Sequence, residues 1–312
     1  MENNTQLKEM IRSMVIDVLQ GQKQEMASSQ PIKQASRGQV EPGVFDTVDE
    51  AIQAAKAAQA RFEDCTLATR EKVIADIRAA MRPRVQELAQ KTVEETGMGR
   101  VADKVLKLNL TLDKTPGVED LVTECETGDN GMTLYELSAY GVIGAITPST
   151  NPAETLICNT IGMLAAGNAV FFSVHPGAKH LSRLLVSELN QIIAKSIGIE
   201  NLIVTLREPS IESAQEMMLH PDVSLLVVTG GPGVVKQALQ SGKKVIGAGA
   251  GNPPAFVDET ADVKKAAQDI VLGASLDNNI LCIAEKSVVA MRQIEPQLVQ
   301  EMVKAGCVLV DN

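Results

Sequence analysis

The sequence predicts an α/β fold, a Rossmann-type parallel sheet with helices on both faces. Two observations carry this. Short apolar runs at 141–147, 169–174, 201–206, 225–229 and 244–247 alternate with helix-patterned segments at 153–166, 178–197, 211–220 and 234–240. Strands separated by helices of that length need right-handed crossovers and pair in parallel. The runs are also followed by small and polar turns: Thr-Pro-Ser-Thr-Asn at 147–151, His-Pro-Gly at 175–177, Thr-Gly-Gly-Pro-Gly at 229–233 and Gly-Ala-Gly-Ala-Gly-Asn at 247–252. Parallel sheets bind ligands at the carboxyl ends of their strands, where these turns fall.

Taken in order, the chain opens on an amphipathic helix at 1–21. Leu7, Met10, Ile11, Met14, Val15, Val18 and Leu19 share one helical face, Asn4 or Thr5 can cap it, and Gly21 follows. Residues 22–43, rich in Gln, Ser, Gly and Lys, predict a flexible linker. A helix on such a tether either docks as an ordinary terminal helix or seeks another apolar surface. Residues 46–109 are alanine-rich and helical, with segments at 48–62, 68–85 and 85–97, and a β-like stretch follows at 132–137. The sheet and these helices make a first domain at 44–253. Residues 254–312 read as the beginning of a second, incomplete α/β domain, with a helix at 263–272 and a strand-like run at 287–291 whose partners would lie beyond residue 312.

Composition narrows the function. A net charge of −10 argues against nucleic acid, whose phosphates require clustered Lys and Arg. No apolar run approaches the roughly 18 residues that suggest a membrane span, and no secretory signal is visible. Five cysteines without a disulfide pattern fit a reducing cytoplasm. With only three histidines and no CxxC spacing, no metal site is expected.

Cys282 carries the chemistry. It follows a polar turn, Ser-Leu-Asp-Asn-Asn-Ile-Leu-Cys at 275–282, downstream of the alternating region, as a covalent nucleophile would. A lone cysteine is more often a buried structural residue, and Cys65, Cys125, Cys158 and Cys307 are read that way. The glycine-rich 247–252 segment allows backbone to approach a ligand closely. No GxGxxG follows the first strand, so a standard dinucleotide fingerprint is missing. Thr229-Gly230-Gly231, before the 234–240 helix, can still present N–H groups to an anion, although such turns are often purely structural.

These segments, together with Glu-Glu-Thr-Gly-Met-Gly-Arg at 94–100 and Thr-Pro-Gly-Val-Glu-Asp-Leu at 115–121, occur in an order that closely resembles the CoA-acylating aldehyde dehydrogenases of bacterial microcompartments. The nearest match is to the propionaldehyde enzymes of propanediol utilisation, with the acetaldehyde enzymes of ethanolamine utilisation second. The resemblance runs from about residue 44 to the end. It implies an aldehyde-dehydrogenase-like fold and NAD-dependent oxidation of a short aldehyde to acyl-CoA through a thioester on Cys282, in the cytoplasm within a microcompartment lumen. It further implies a homo-oligomer when full length, and an N-terminal helix that binds shell proteins. By the same resemblance Thr229, Gly230 and Gly231 face the NAD pyrophosphate, with Val234 on the helix behind. Thr147 and Pro148 lie near the nicotinamide ribose, Gly249 belongs to the cofactor site, and His175 stands where hydrolytic relatives bond the adenosine ribose with a lysine. Asn151 either donates to the oxyanion or only shapes the turn before Pro152, since an ungapped comparison sets Thr150 at the hydrolytic asparagine. Hydrolytic members carry a glutamate where this chain has Ala248, so water lacks its general base and coenzyme A is the expected acceptor. Relatives continue well past the position of Asn312. The other reading is therefore an inactive fragment that serves only as an NAD-binding or cargo-adaptor module.

Overall fold

The computed structural model describes residues 41–310; the expected 1–21 helix and nearly all of the 22–43 linker lie outside the described residues. The framework is a six-stranded sheet in the order β1-β6-β5-β4-β7-β8. Its strands are β1 (Val44–Phe45), β4 (Val142–Ile146), β5 (Ala169–Ser173), β6 (Ile203–Leu206), β7 (Val223–Thr229) and β8 (Lys244–Ala248), and every pairing is parallel. β4, β5 and β6 are buried at every residue, so they read as continuous apolar runs rather than as alternating ones.

From β4 the chain winds outward through β5 to β6. It then returns to the other side of β4 to lay down β7 and β8. This reversal places the crossovers on opposite faces and opens a crevice between the carboxyl ends of β4 and β7. The first crossovers are α5 (Pro152–Ala165) and α6 (Lys179–Ile197), which touch each other; the later ones are α7 (Ile211–Leu219) and α8 (Pro232–Leu239). α1 (Val48–Glu63) packs on the sheet beside α7, capped by Thr47, whose Oγ1 accepts from Glu50 N–H. Beyond α5 and α6 lies an outer layer of α2 (Leu67–Met81), α3 (Val85–Thr96) and α4 (Val101–Lys114).

The structure corrects several boundaries. The expected 68–85 helix ends at Met81 and continues as a 3-10 turn over Arg82–Arg84, because Pro83 has no N–H to donate. The helical region does not stop near residue 109, since α4 extends it to Lys114. The β-like stretch at 132–137 belongs to a hairpin of β2 (Glu124–Gly128) and β3 (Gly131–Tyr135), whose first strand is too polar to stand out. The run at 287–291 finds a partner within the chain: β10 (Ser287–Ala290) pairs in parallel with β9 (Pro254–Val257). A small core of Val257, Ala267, Ile270 and Leu298 joins this pair to α9 (Val263–Ser275) and α10 (Glu295–Lys304), separate from the main core. The buried reading fails for the other cysteines. Cys125 and Cys158 are exposed, on the hairpin and on the outward side of α5, and Cys65 and Cys307 are half-buried.

Candidate active site

The loops after β4, β5, β7 and β8 converge with the 279–282 segment around one cavity of about 490 Å³, within the usual size of small-molecule sites. All ten residues singled out in the sequence line it: Thr147, Pro148, Asn151, His175, Thr229, Gly230, Gly231, Val234, Gly249 and Cys282. No carboxylate stands among its lining residues.

Each loop is fixed by local bonds. After β4, Thr147 N–H donates to Ser173 O at 3.2 Å, and its side chain is buried with Oγ1 unpartnered. Such a hydroxyl at a cavity wall suits a hydrogen-bonding ligand. After β5, His175 Nδ1 accepts from Gly177 N–H at 3.0 Å, so in the neutral ring Nε2 is the donor. After β7, Gly231 caps α8 without a side-chain bond and Pro232 follows, leaving first-turn N–H groups at the positive end of the helix. Gly230 N–H is not among them, because it donates to Ala248 O at 3.1 Å. After β8, Gly251 meets the nucleophile's backbone directly: a Cβ there would lie 2.0 Å from Cys282 O.

Cys282 is half-buried and rides on an unusual turn. Asp277, Asn278 and Asn279 all hold positive φ, 51°, 56° and 59°, a conformation tolerated best by Asn, Asp and Gly. Side chains hold the turn in place. Lys286 Nζ donates to Asn279 O at 3.0 Å, Asn279 Oδ1 at 2.6 Å and Leu281 O at 3.0 Å. Asn279 Nδ2 donates to Ala274 O and Glu285 O.

Sequence reasoning missed the cluster behind these walls. Asp277 is fully buried, and its Oδ2 lies 2.5 Å from Lys107 Nζ and 2.9 Å from Lys104 Nζ. Its Oδ1 accepts from Arg100 N–H at 2.9 Å. Lys104 Nζ also donates to Thr150 O at 2.5 Å, and Lys107 Nζ to Asn151 Oδ1. Glu154 pairs with Lys107 at 3.2 Å, an ionic contact without hydrogen-bond alignment. Burial works against charge throughout, and it pushes the Lys104 ammonium below the ordinary lysine value. For Lys107 the carboxylates of Glu154 and Asp277 outweigh burial and raise its pKa. Asp277 also resists its burial, held below the usual carboxylate range by Lys107, Lys104 and Arg100 N–H.

The pattern of aldehyde dehydrogenases matches residues 18–308. A curated propanal dehydrogenase (CoA-propanoylating) of Salmonella typhimurium is 52% identical over 268 residues, 86% of this chain and 58% of that protein. The solved propionaldehyde dehydrogenase from the Clostridium phytofermentans fucose utilisation bacterial microcompartment is 52% identical with a TM-score of 0.82, over 85% of this chain and 61% of that one. A Rhodopseudomonas palustris propionaldehyde dehydrogenase, solved with bound CoA and an acylated cysteine, is 51% identical with a TM-score of 0.81, over the same shares of both chains. The chain thus spans about three fifths of the length of these relatives, and with its profile match and its sheet it belongs to the aldehyde dehydrogenase family.

Proposed function

We propose that this protein oxidises a short aliphatic aldehyde, propionaldehyde before acetaldehyde, to its acyl-CoA, with Cys282 as the nucleophile. One observation carries the reading: the cavity wall offers a thiol and no carboxylate. The Cys282 thiolate adds to the aldehyde carbonyl, forming a C–S bond and a tetrahedral oxyanion. Cys282 N–H and the Asn151 amide are the donors assigned to that oxyanion. A nicotinamide dinucleotide held by the 147–148, 175 and 229–234 segments supplies the hydride acceptor, NAD being our choice over NADP. The unpartnered Thr147 hydroxyl and the free first-turn N–H groups of α8 fit a ribose and a pyrophosphate. Loss of hydride leaves a thioester on Cys282. With no carboxylate on this cavity wall to activate water, a coenzyme A thiolate resolves it, its C–S bond replacing that to Cys282.

The acylated cysteine and bound CoA named for the Rhodopseudomonas relative support this reading. Assayed with propionaldehyde and NAD, the intact protein is expected to form one equivalent of NADH per site without coenzyme A and to turn over continuously with it. Cys282→Ser should form none. Continuous release of propionate without coenzyme A would sink the acylating assignment.

The microcompartment named for the Clostridium relative supports placing this protein in such a compartment, with the 1–21 segment as the shell-binding element. Deleting residues 1–21 should then abolish co-purification with shells while leaving melting unchanged. Shell association that survives the deletion would reassign the segment.

A further inference from the structure

Helix α4 holds both walls of the site at once. Lys107 Nζ reaches Asn151 Oδ1 on the loop after β4 and, 2.5 Å away, Asp277 Oδ2 on the turn that leads to Cys282. Lys104, one turn earlier, repeats the bridge between Thr150 O and Asp277. An asparagine amide has an acceptor end and a donor end of nearly equal size. With an ammonium on Oδ1, only one orientation avoids setting an N–H against a cation. Nδ2 is thereby the end turned away from the ammonium; one of its two N–H groups donates to Thr150 Oγ1 at 3.2 Å, which leaves the other. Both Thr150 and Asn151 line the cavity. The same ammonium draws electron density from the amide and makes its N–H a stronger donor.

We infer that Lys107 is a positioning residue: it turns the donor end of Asn151 toward the reacting carbonyl and, through Asp277, keeps that donor in register with Cys282. The inference rests on the acyl-transfer reading above and deepens it. Lys107 acts only where an oxyanion forms at Cys282, and it leaves the thiol's own nucleophilicity alone.

Two reactions of the same thiol separate these effects. With propionyl-CoA, Cys282 forms a C–S bond to the thioester carbonyl, a tetrahedral oxyanion develops, the bond to the coenzyme A sulfur breaks, and that sulfur leaves with a proton. With iodoacetamide, sulfur displaces iodide from carbon and no oxyanion forms. Both products are read by mass spectrometry at Cys282. Lys107→Met should slow acylation about tenfold to hundredfold and leave alkylation within about twofold of wild type. Adding it to Asn151→Ala should slow acylation no further. If circular dichroism shows Lys107→Met unfolded, Lys107→Gln takes its place, with the same expectation. Equal losses in both reactions, or unchanged acylation, would overturn the inference while leaving the acyl-transfer reading intact. A wild-type protein that alkylates but never acquires the propionyl group would overturn the acyl-transfer reading and the inference with it.

Discussion

Gly251 shows how closely the site is built from backbone. A methyl group there would sit 2.0 Å from Cys282 O and 3.0 Å from its carbonyl carbon, and backbone atoms have no flexible end to swing aside. Gly251→Ala is therefore expected to part the 249–251 loop from the nucleophile's turn. The global cost should stay near the roughly 1–3 kcal/mol of an overpacked contact, because the main core lies elsewhere. Turnover should fall far more, at least about tenfold, since small misplacements of a nucleophile are costly. Melting curves and coenzyme A-dependent NADH formation check this; an active Gly251→Ala would show that the two loops need not touch. At this scale much was legible. Glycines after a strand and a cysteine after an Asn-Asn turn announce close approach and exposure in sequence. What Gly251 approaches was not legible, since nothing local couples it to Cys282.

Among the elements, α4 is the one that periodicity hides. Leu106 and Leu110 are each 57% exposed, while Lys104 is fully buried and Lys107 nearly so. The helix buries Leu108 and Leu112 as an amphipathic helix should, yet it buries two lysines beside them, and the distant carboxylates of Asp277 and Glu154 explain those. Breaking the cluster from that side tests it. Asp277→Asn leaves two buried ammonium groups short of their shared anion and should destabilise the fold by about 3–5 kcal/mol at pH 7. The pH dependence has a definite sign. Because the Asp277 pKa is lower folded than unfolded, its stabilisation is fully present above the unfolded carboxylate value of about 4. It is lost as pH falls from there through the folded value. Wild type and Asp277→Asn should thus converge in denaturation midpoint below about pH 4. A constant gap down to pH 2 would mean that the carboxylate's charge contributes nothing.

At the scale of the whole molecule, five of the six sheet strands were legible: β4, β5 and β6 are buried at every residue and read as uninterrupted apolar runs, and the partly buried β7 and largely exposed β8 still stood out as short apolar runs between helices. β1, only two residues long, leaves no periodicity to read. The β2–β3 hairpin forms a separate two-stranded sheet. All ten of its strand residues are exposed, among them Met132 at 70%, Leu134 at 56% and Tyr135 at 50%, with Leu137 at 76% just beyond. A two-stranded ribbon with neither face covered is marginal in water, and its free edges are templates for another strand. Its apolar side chains therefore suit a second copy of the chain, the homo-oligomer that the family resemblance implies for the full-length protein. Leu134→Asp with Leu137→Asp should shift the sedimenting species to the monomer while the main core, which excludes both residues, melts as before. Phe256→Asp, on the exposed face of β9, serves as the comparison and should leave the assembly intact. If the hairpin variant sediments like wild type, the ribbon is not the contact between copies. If Phe256→Asp alone dissolves the assembly, the β9–β10 pair is the contact instead.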